Sequence, residues 1–217
     1  MADAVIFDLD GVIVDSEPVW EEVRRAYVAA HGGTWQPDTQ RRLMGMSTGE
    51  WAAYLSGELG VDRTAEQVAA EVVEEMTRRY AARVPLIDGA DDVVRRVAGR
   101  WPLGLASSSP TRLIAAALHA TDLTDVFGAT LSTEETARGK PAPDVYLAVA
   151  ERLGVDPARC VAVEDSSNGV RSAAAAGMTV VAVPHGSYPL DPDAVQASAV
   201  VLDSIGDLTP ETVEQLG

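Results

Sequence analysis

The sequence predicts an α/β protein: a Rossmann-like, mostly parallel sheet core with an inserted α-helical cap domain. Three observations predict it. Short apolar runs rich in β-branched residues recur along the chain, helical patterns with readable ends separate them, and residues 17–83 carry helices with no convincing strand between them. The 217 residues, 47% of them hydrophobic, suffice for a core domain carrying a smaller insertion. The expected division is 1–16 with 84–217 for the core and 17–83 for the helical cap.

The expected strands are 4–8 (AVIFD), 103–107 (LGLAS), 129–132 (ATLS), 160–164 (CVAVE), 180–184 (VVAVP) and 199–203 (AVVLD). In the insertion, Pro18 opens a helix with Val19, Val23, Ala26, Tyr27 and Ala30 on one face, and Gly32 stops it. Trp51, Leu55 and Leu59 share a second helix face, and Thr64 with Gln67 makes a capping box before Val68, Val72 and Met76. Residues 14–18 and 84–89 join this block to the core. Two such crossings are what a hinged lid requires, and a fixed insertion has them too. In the core, Ser109 and Pro110 begin a helix. Asp144 caps another, with Val145, Val149 and Leu153 on one face and Gly154 as its stop, and a third runs 168–176 to Gly177.

Seventeen basic against 33 acidic residues give a net charge of −16, which argues against nucleic acid or anionic membrane as partner. An anionic substrate then needs local help from a lysine or a divalent metal. Cys160 is the single cysteine, so no internal disulfide forms, and its place at the start of an apolar run suits a buried thiol. The N-terminus lacks the basic and apolar regions of a signal peptide, and the longest apolar stretch, about 173–184, is too short to span a bilayer. A soluble cytoplasmic protein is expected, as a monomer or weak dimer.

The first strand runs into FDLDG, where Asp8 and Asp10, two residues apart, point the same way and Gly11 lets the backbone turn. Repulsion and desolvation disfavour this pair unless a cation or a shared proton offsets them. A calcium loop starting at Asp8 would need glycine at its sixth position and glutamate at its twelfth, where Ile13 and Val19 stand. Taken alone, the motif also suits a solvated turn. Later strand ends add further signals. Ser107, Ser108 and Ser109 can offer hydroxyls and N–H groups to an anion, Lys140 is flanked by prolines, and Glu164 and Asp165 precede a turn and a helix start. Each alone reads as a cap, a surface lysine or a turn acid. Together they supply nucleophile, general acid, cation, oxyanion donors and metal ligands, the inventory of phosphoryl transfer.

DLDG with Asp8 and Asp10, then Ser107, then Lys140 with PAPD, then EDSSNG with Glu164 and Asp165 resemble the four ordered motifs of the haloacid dehalogenase superfamily of phosphatases and phosphotransferases. The helical block after the first motif matches that superfamily's cap. The resemblance implies that Asp8 attacks phosphorus to form an aspartyl-phosphate, and that Asp10 serves as general acid and then as base. It implies Mg²⁺ at Asp8, Asp165 and the backbone carbonyl of Asp10, with Glu164 either joining them or orienting Lys140 or metal-bound water. Lys140, Ser107 and Ser108 would hold the phosphate oxygens. Superfamily members that displace halide lack the second aspartate, so Asp10 favours phosphate esters.

DSEPVW, ASSSP and LGVDPARCVAVEDSSNG further resemble sugar-phosphate phosphatases of the 2-deoxyglucose-6-phosphate type. The related β-phosphoglucomutases use a histidine in the first cap helix and basic residues near a cap glycine, where this chain has Trp20 and the run from Met44 to Thr48. Hydrolysis of a small sugar monophosphate is therefore expected, with a phosphosugar mutase as the alternative. Glu17, Trp20, Met44 and Gly45 are the candidate substrate contacts in the cap. Trp20, Trp51 and Met44 suit a helical core face equally well, and Ser16 and Glu17 suit a helix start. His31, His119 and His185 show no metal-ligand spacing, Asp15 fits an anchor of the hinge turn, and Glu21, Glu22, Arg24 and Arg25 read as solvated helix surface.

Overall fold

A computed structural model describes residues 2–43, 46–184 and 189–217. Strand β1 (Ala4–Phe7) leads into four helices, α1 (Glu17–Ala30), α2 (Thr39–Leu43), α3 (Thr48–Gly57) and α4 (Ala65–Ala82), before α5 (Ala90–Ala98) returns the chain to the sheet. There follow β2 (Leu103–Ser107), α6 (Thr111–Ala120), β3 (Ala129–Ser132), α7 (Asp144–Leu153), β4 (Cys160–Glu164), α8 (Ser167–Ala175), β5 (Thr179–Ala182), α9 (Pro192–Ala197), β6 (Val200–Val201) and α10 (Pro210–Leu216). The sheet order is β3-β2-β1-β4-β5-β6, with every pairing parallel.

Parallel strands covered on both faces must be apolar on both, and β1, β2 and β4 are buried throughout. Alternation sorts their side chains. Val5 and Phe7, Leu103 and Leu105, and Val161 and Val163 join one core cluster, while Ala4, Ile6, Ala106 and Ala162 join the other. Gly104 keeps the second face close-packed, because a Cβ there would lie 2.4 Å from Val149 Cγ1 of α7. The first cluster does not stop at the sheet. It continues through Ile13 and Val14 into Trp20, Val23, Trp51, Leu55, Val72 and Met76 of the helical block.

Local signals held at several helix ends. Both oxygens of the Thr64–Gln67 capping box are in place before α4, and Gly154 ends α7 at φ +72°. Elsewhere the chain differs from expectation. Helix α1 buries Trp20, Val23, Arg24 and Val28 and leaves Ala26 and Ala30 exposed, because Trp20 and Arg24 both pack on Trp51 of α3. Ser109 does not cap α6; its hydroxyl donates to Asp10 instead (2.8 Å). Asp144 is the first residue of α7 rather than its cap and pairs with Arg138 (2.8 Å). The first strand ends at Phe7, although Asp8 still donates its N–H to Val163 (2.9 Å), and the last narrows to two residues at the sheet edge.

The two crossings into the helical block lie side by side. Val14 and Leu86 form an antiparallel bridge, Asp15 N–H donates to Pro85 O (2.8 Å), and Ile87 N–H donates to Ile13 O (3.0 Å). Among the described residues no helix is long and apolar enough to cross a membrane.

Candidate active site

Chain order reverses about β1: β2 and β3 extend the sheet to one side and β4 to β6 to the other. In such sheets the crevice opens at the carboxyl ends of the strands beside that reversal. Asp8 and Asp10 follow β1, Ser107 ends β2, and Glu164 ends β4 with Asp165 next to it. A cavity of about 350 Å³ opens there, lined from the core by Asp8, Asp10, Ser108, Lys140 and Asp165 and from the helical block by Glu17, Trp20 and Arg24. Met44 and Gly45 lie outside the described residues.

Lys140 holds the centre. Its ammonium donates to Asp8 Oδ1 (2.6 Å), to Glu164 Oε1 (2.6 Å) and to the Ala106 carbonyl (3.0 Å), which engages all three of its protons. Burial would lower the lysine's pKa, but Asp8 and Glu164 overcome this and raise it. Burial also pushes the Asp8 carboxyl up to about 8; Lys140 opposes the shift and Glu164 and Asp10 add to it. Asp165 is likewise held well above the usual carboxylate range, by burial first and then by Glu164 and Asp8. A cation bound here would relieve this crowding of negative charge.

Asp8, Glu164 and Asp165 can each offer an oxygen within 4.8 Å of the others. Hard carboxylate oxygens suit Mg²⁺, which takes one or two protein carboxylates and keeps much of its water. Glu164 is already saturated. Oε1 accepts from Lys140 and from Tyr146 OH (2.8 Å), and Oε2 accepts from Asp165 N (3.1 Å), Ser166 N (3.3 Å) and Ser166 Oγ (3.1 Å). It is fully buried, and a Cβ on Gly169 would collide with its carboxyl carbon at 1.9 Å. The donors left for a metal are Asp8 and Asp165.

Asp10 sits in different company. Its Oδ2 accepts from Ser107 Oγ (3.1 Å) and Ser109 Oγ (2.8 Å), while its Oδ1 is buried with no hydrogen-bond partner among the described residues. Ser107 is fully buried, and its oxygen also accepts the Ser109 N–H (2.9 Å), so its contacts run to Asp10 and Ser109. Ser108 is the serine of the run that lines the cavity beside Ser109.

Gly11 turns the chain at φ +79°, and a Cβ on it would come within 1.9 Å of Asp165 Oδ2. Gly11→Ala is therefore expected to cost roughly 1–2 kcal/mol in backbone conformation alone and to displace Asp165. Urea unfolding and a Mg²⁺ titration read the two effects separately, and a variant with unchanged Mg²⁺ half-saturation would show that Asp165 is no ligand.

On the helical wall, Gln40 Nε2 donates to Glu17 Oε2 (2.5 Å), and Trp20 and Trp51 meet with ring centroids 5.9 Å apart. Ser16 is fully buried, and its hydroxyl does not cap α1. Sequence reasoning missed Arg24, Gln40 and Tyr146. The spacing of Trp20 and Arg24, four residues apart on one helix face, was the available signal for the first.

The sequence model of haloacid dehalogenase-like hydrolases matches residues 2–177. The chain is 37% identical to hexitol phosphatase B of Escherichia coli strain K12 over 216 residues, 95% of this chain and 94% of that one. It is 34% identical to a phosphorylated carbohydrates phosphatase of Thermotoga maritima over 177 residues, 81% of this chain and 82% of that one. The fold superposes on crystalline CbbY from Rhodobacter sphaeroides in complex with phosphate with a TM-score of 0.87 at 23% identity, covering 99% and 100% of the two chains. With the motifs gathered at one crevice and the match spanning most of its length, the chain belongs to the haloacid dehalogenase-like hydrolases.

Proposed function

We propose that the protein is a Mg²⁺-dependent phosphatase that hydrolyses small sugar-phosphate monoesters through an aspartyl-phosphate on Asp8. The observation that carries this is the contrast between the two aspartates. Asp8 lies against a lysine and the metal-compatible pair, whereas Asp10 has one oxygen fixed by two hydroxyls and the other unpartnered. The first is placed to attack with a cation beside it, the second to pass a proton through the oxygen that the two hydroxyls leave free.

Asp8 and Asp165 would hold the metal, which would supply positive charge against the carboxylates and the transferring phosphate. Asp8 attacks phosphorus in line with the ester oxygen. Asp10 gives the proton on its Oδ1 to that oxygen as the bond to phosphorus breaks, while Ser107 and Ser109 hold the other carboxylate oxygen still. Water then attacks the aspartyl-phosphate, Asp10 takes its proton, and inorganic phosphate leaves. Lys140 turns from Asp8 toward the phosphate oxygens as Asp8 is phosphorylated, while its bond to Glu164 is kept. Ser108, at the cavity wall, is a further phosphate contact.

Residues 17–83 act as the cap over this centre, and Glu17 and Trp20 supply part of the substrate wall. The shared cavity and the paired crossings support that division. Trp20 stands in the first cap helix where the resembling mutases carry histidine, and an indole cannot do that histidine's acid–base work; this favours hydrolysis. Relatives named for hexitol and carbohydrate phosphates support a polyol or sugar as the alcohol.

Phosphate release from hexose and hexitol monophosphates, with and without Mg²⁺, tests the reading. Release should vanish with EDTA and return with Mg²⁺. The Mg²⁺ concentration needed should fall as pH rises through 8, because the metal must displace protons from carboxyls held above their usual range. Interconversion of glucose 1-phosphate and glucose 6-phosphate without release would make the chain a mutase; full release in EDTA would remove the metal.

A further inference from the structure

Arg24 differs from the other buried or half-buried cations at the cavity. Lys140 is bound to Asp8 and Glu164 (2.6 Å each), and Arg171 to Asp191 (2.6 Å) and Asp193 (2.7 Å). Arg24 is only 6% exposed, yet among the described residues its Nε has no hydrogen-bond partner and its guanidinium forms no ion pair within salt-bridge distance. Its guanidinium lies over two indoles instead, 4.4 Å from the Trp20 ring centre and 4.9 Å from that of Trp51.

A charge withdrawn from water without a direct ion pair is unfavourable, and cation–π contacts offset only part of that. Burial pushes the guanidinium down to about 10, with Glu17 and Asp10 pulling the other way. Arginine remains charged at neutral pH all the same, so the site keeps a fixed cation. The two tryptophans set its orientation in advance, which is the geometry a planar fork needs to hold an oxyanion.

We propose that Arg24 is a specificity-determining residue that binds a second oxyanion of the substrate, a carboxylate or a second phosphate, while the transferring phosphate lies at Asp8 and Lys140. The proposal rests on the phosphatase reading and adds the substrate class to it: sugar derivatives carrying two anionic groups. Glu17, held by Gln40 on the same wall, disfavours an oxyanion placed against its carboxylate. A neutral polyol can accept a hydrogen bond from Arg24 but leaves its charge uncompensated.

Two matched pairs of probes test this: glucitol 6-phosphate against gluconate 6-phosphate, and fructose 6-phosphate against fructose 1,6-bisphosphate. The first pair differs by a carboxylate and the second by a phosphate, so the arms separate the two sources of charge. With Mg²⁺, at least one anionic probe should exceed its neutral partner in kcat/KM by roughly ten- to a hundredfold, mostly through KM. Arg24→Gln should bring that ratio near unity, and Arg24→Lys should keep part of it.

Calorimetric binding of the same probes to Asp8→Asn reads the preference without turnover. If none of the four releases phosphate, the phosphatase reading fails while the binding ratio still decides the subsite. Equal or better use of the neutral probes by the unaltered chain overturns the proposal whether or not any variant folds. So does a preference that survives Arg24→Gln.

Discussion

Asp8→Asn abolishes phosphate release, lowering turnover by about 10⁴-fold or more, because the amide cannot act as the attacking oxyanion. The fold survives, since the replacement is isosteric and removes one charge from a crowded acidic pocket. A stability signature accompanies the loss. In the metal-free chain the Asp8 carboxyl titrates near 8 when folded, against about 3.9 when unfolded. The folded state thus binds that proton more tightly. The resulting stabilisation is complete below the unfolded value and disappears as pH rises through 8. Asparagine does not titrate, so melting curves in EDTA should show the variant losing less stability than the unaltered chain between pH 5 and pH 9. Parallel pH profiles would mean that Asp8 is not buried as a strained acid, and measurable turnover near the original rate would mean that it is not the nucleophile.

Lys140→Met has the second large effect, on folding as well as on rate. Removing the ammonium leaves Glu164, fully buried, with no cation, while Asp8 and Asp165 remain close by. Breaking one side of a buried pair typically costs about 3–5 kcal/mol, far more than any of the exposed Arg–Glu pairs on the helices is worth. Urea unfolding at neutral pH should show a loss of that size, with phosphate release down by at least about 10²-fold. Adding Glu164→Gln should recover part of the stability and none of the activity, since the stranded charge disappears but the phosphate clamp does not return. If the double variant is no more stable than the single one, Glu164 is not the charge that Lys140 balances.

That the candidate carboxylates would gather at one crevice was legible in the sequence for a local reason. The carboxylates follow apolar runs directly, and parallel strands bring their carboxyl ends to one edge whatever the details of the sheet, whereas Lys140 was marked only by the prolines after it. The saturation of Glu164 was not legible, because Tyr146 reaches it from α7 and Lys140 from the preceding loop. Nor was the burial of Arg24. On a helix that also carries Glu21, Glu22 and Arg25, one more charge reads as surface, and only the arrival of Trp51 from α3 turns that position inward. Ser109 shows the same limit on a smaller scale. Its place before a proline predicts a cap, but Asp10, nearly a hundred residues away in sequence, offers its hydroxyl a stronger acceptor. Interactions fixed by neighbours in sequence could be read; those that depend on what folds against them could not.

The side-by-side crossings at Val14 and Leu86 give the helical block an unusual attachment. Two separate tethers would let it swing and twist independently of the sheet. Hydrogen-bonded to each other, they behave as a two-ply strap, compliant to bending across its thickness and stiff to shear within its plane. The helical block is thus registered to the sheet by backbone bonds, and the position of Glu17, Trp20 and Arg24 across the cavity from Asp8 is set by a short ribbon outside that cavity.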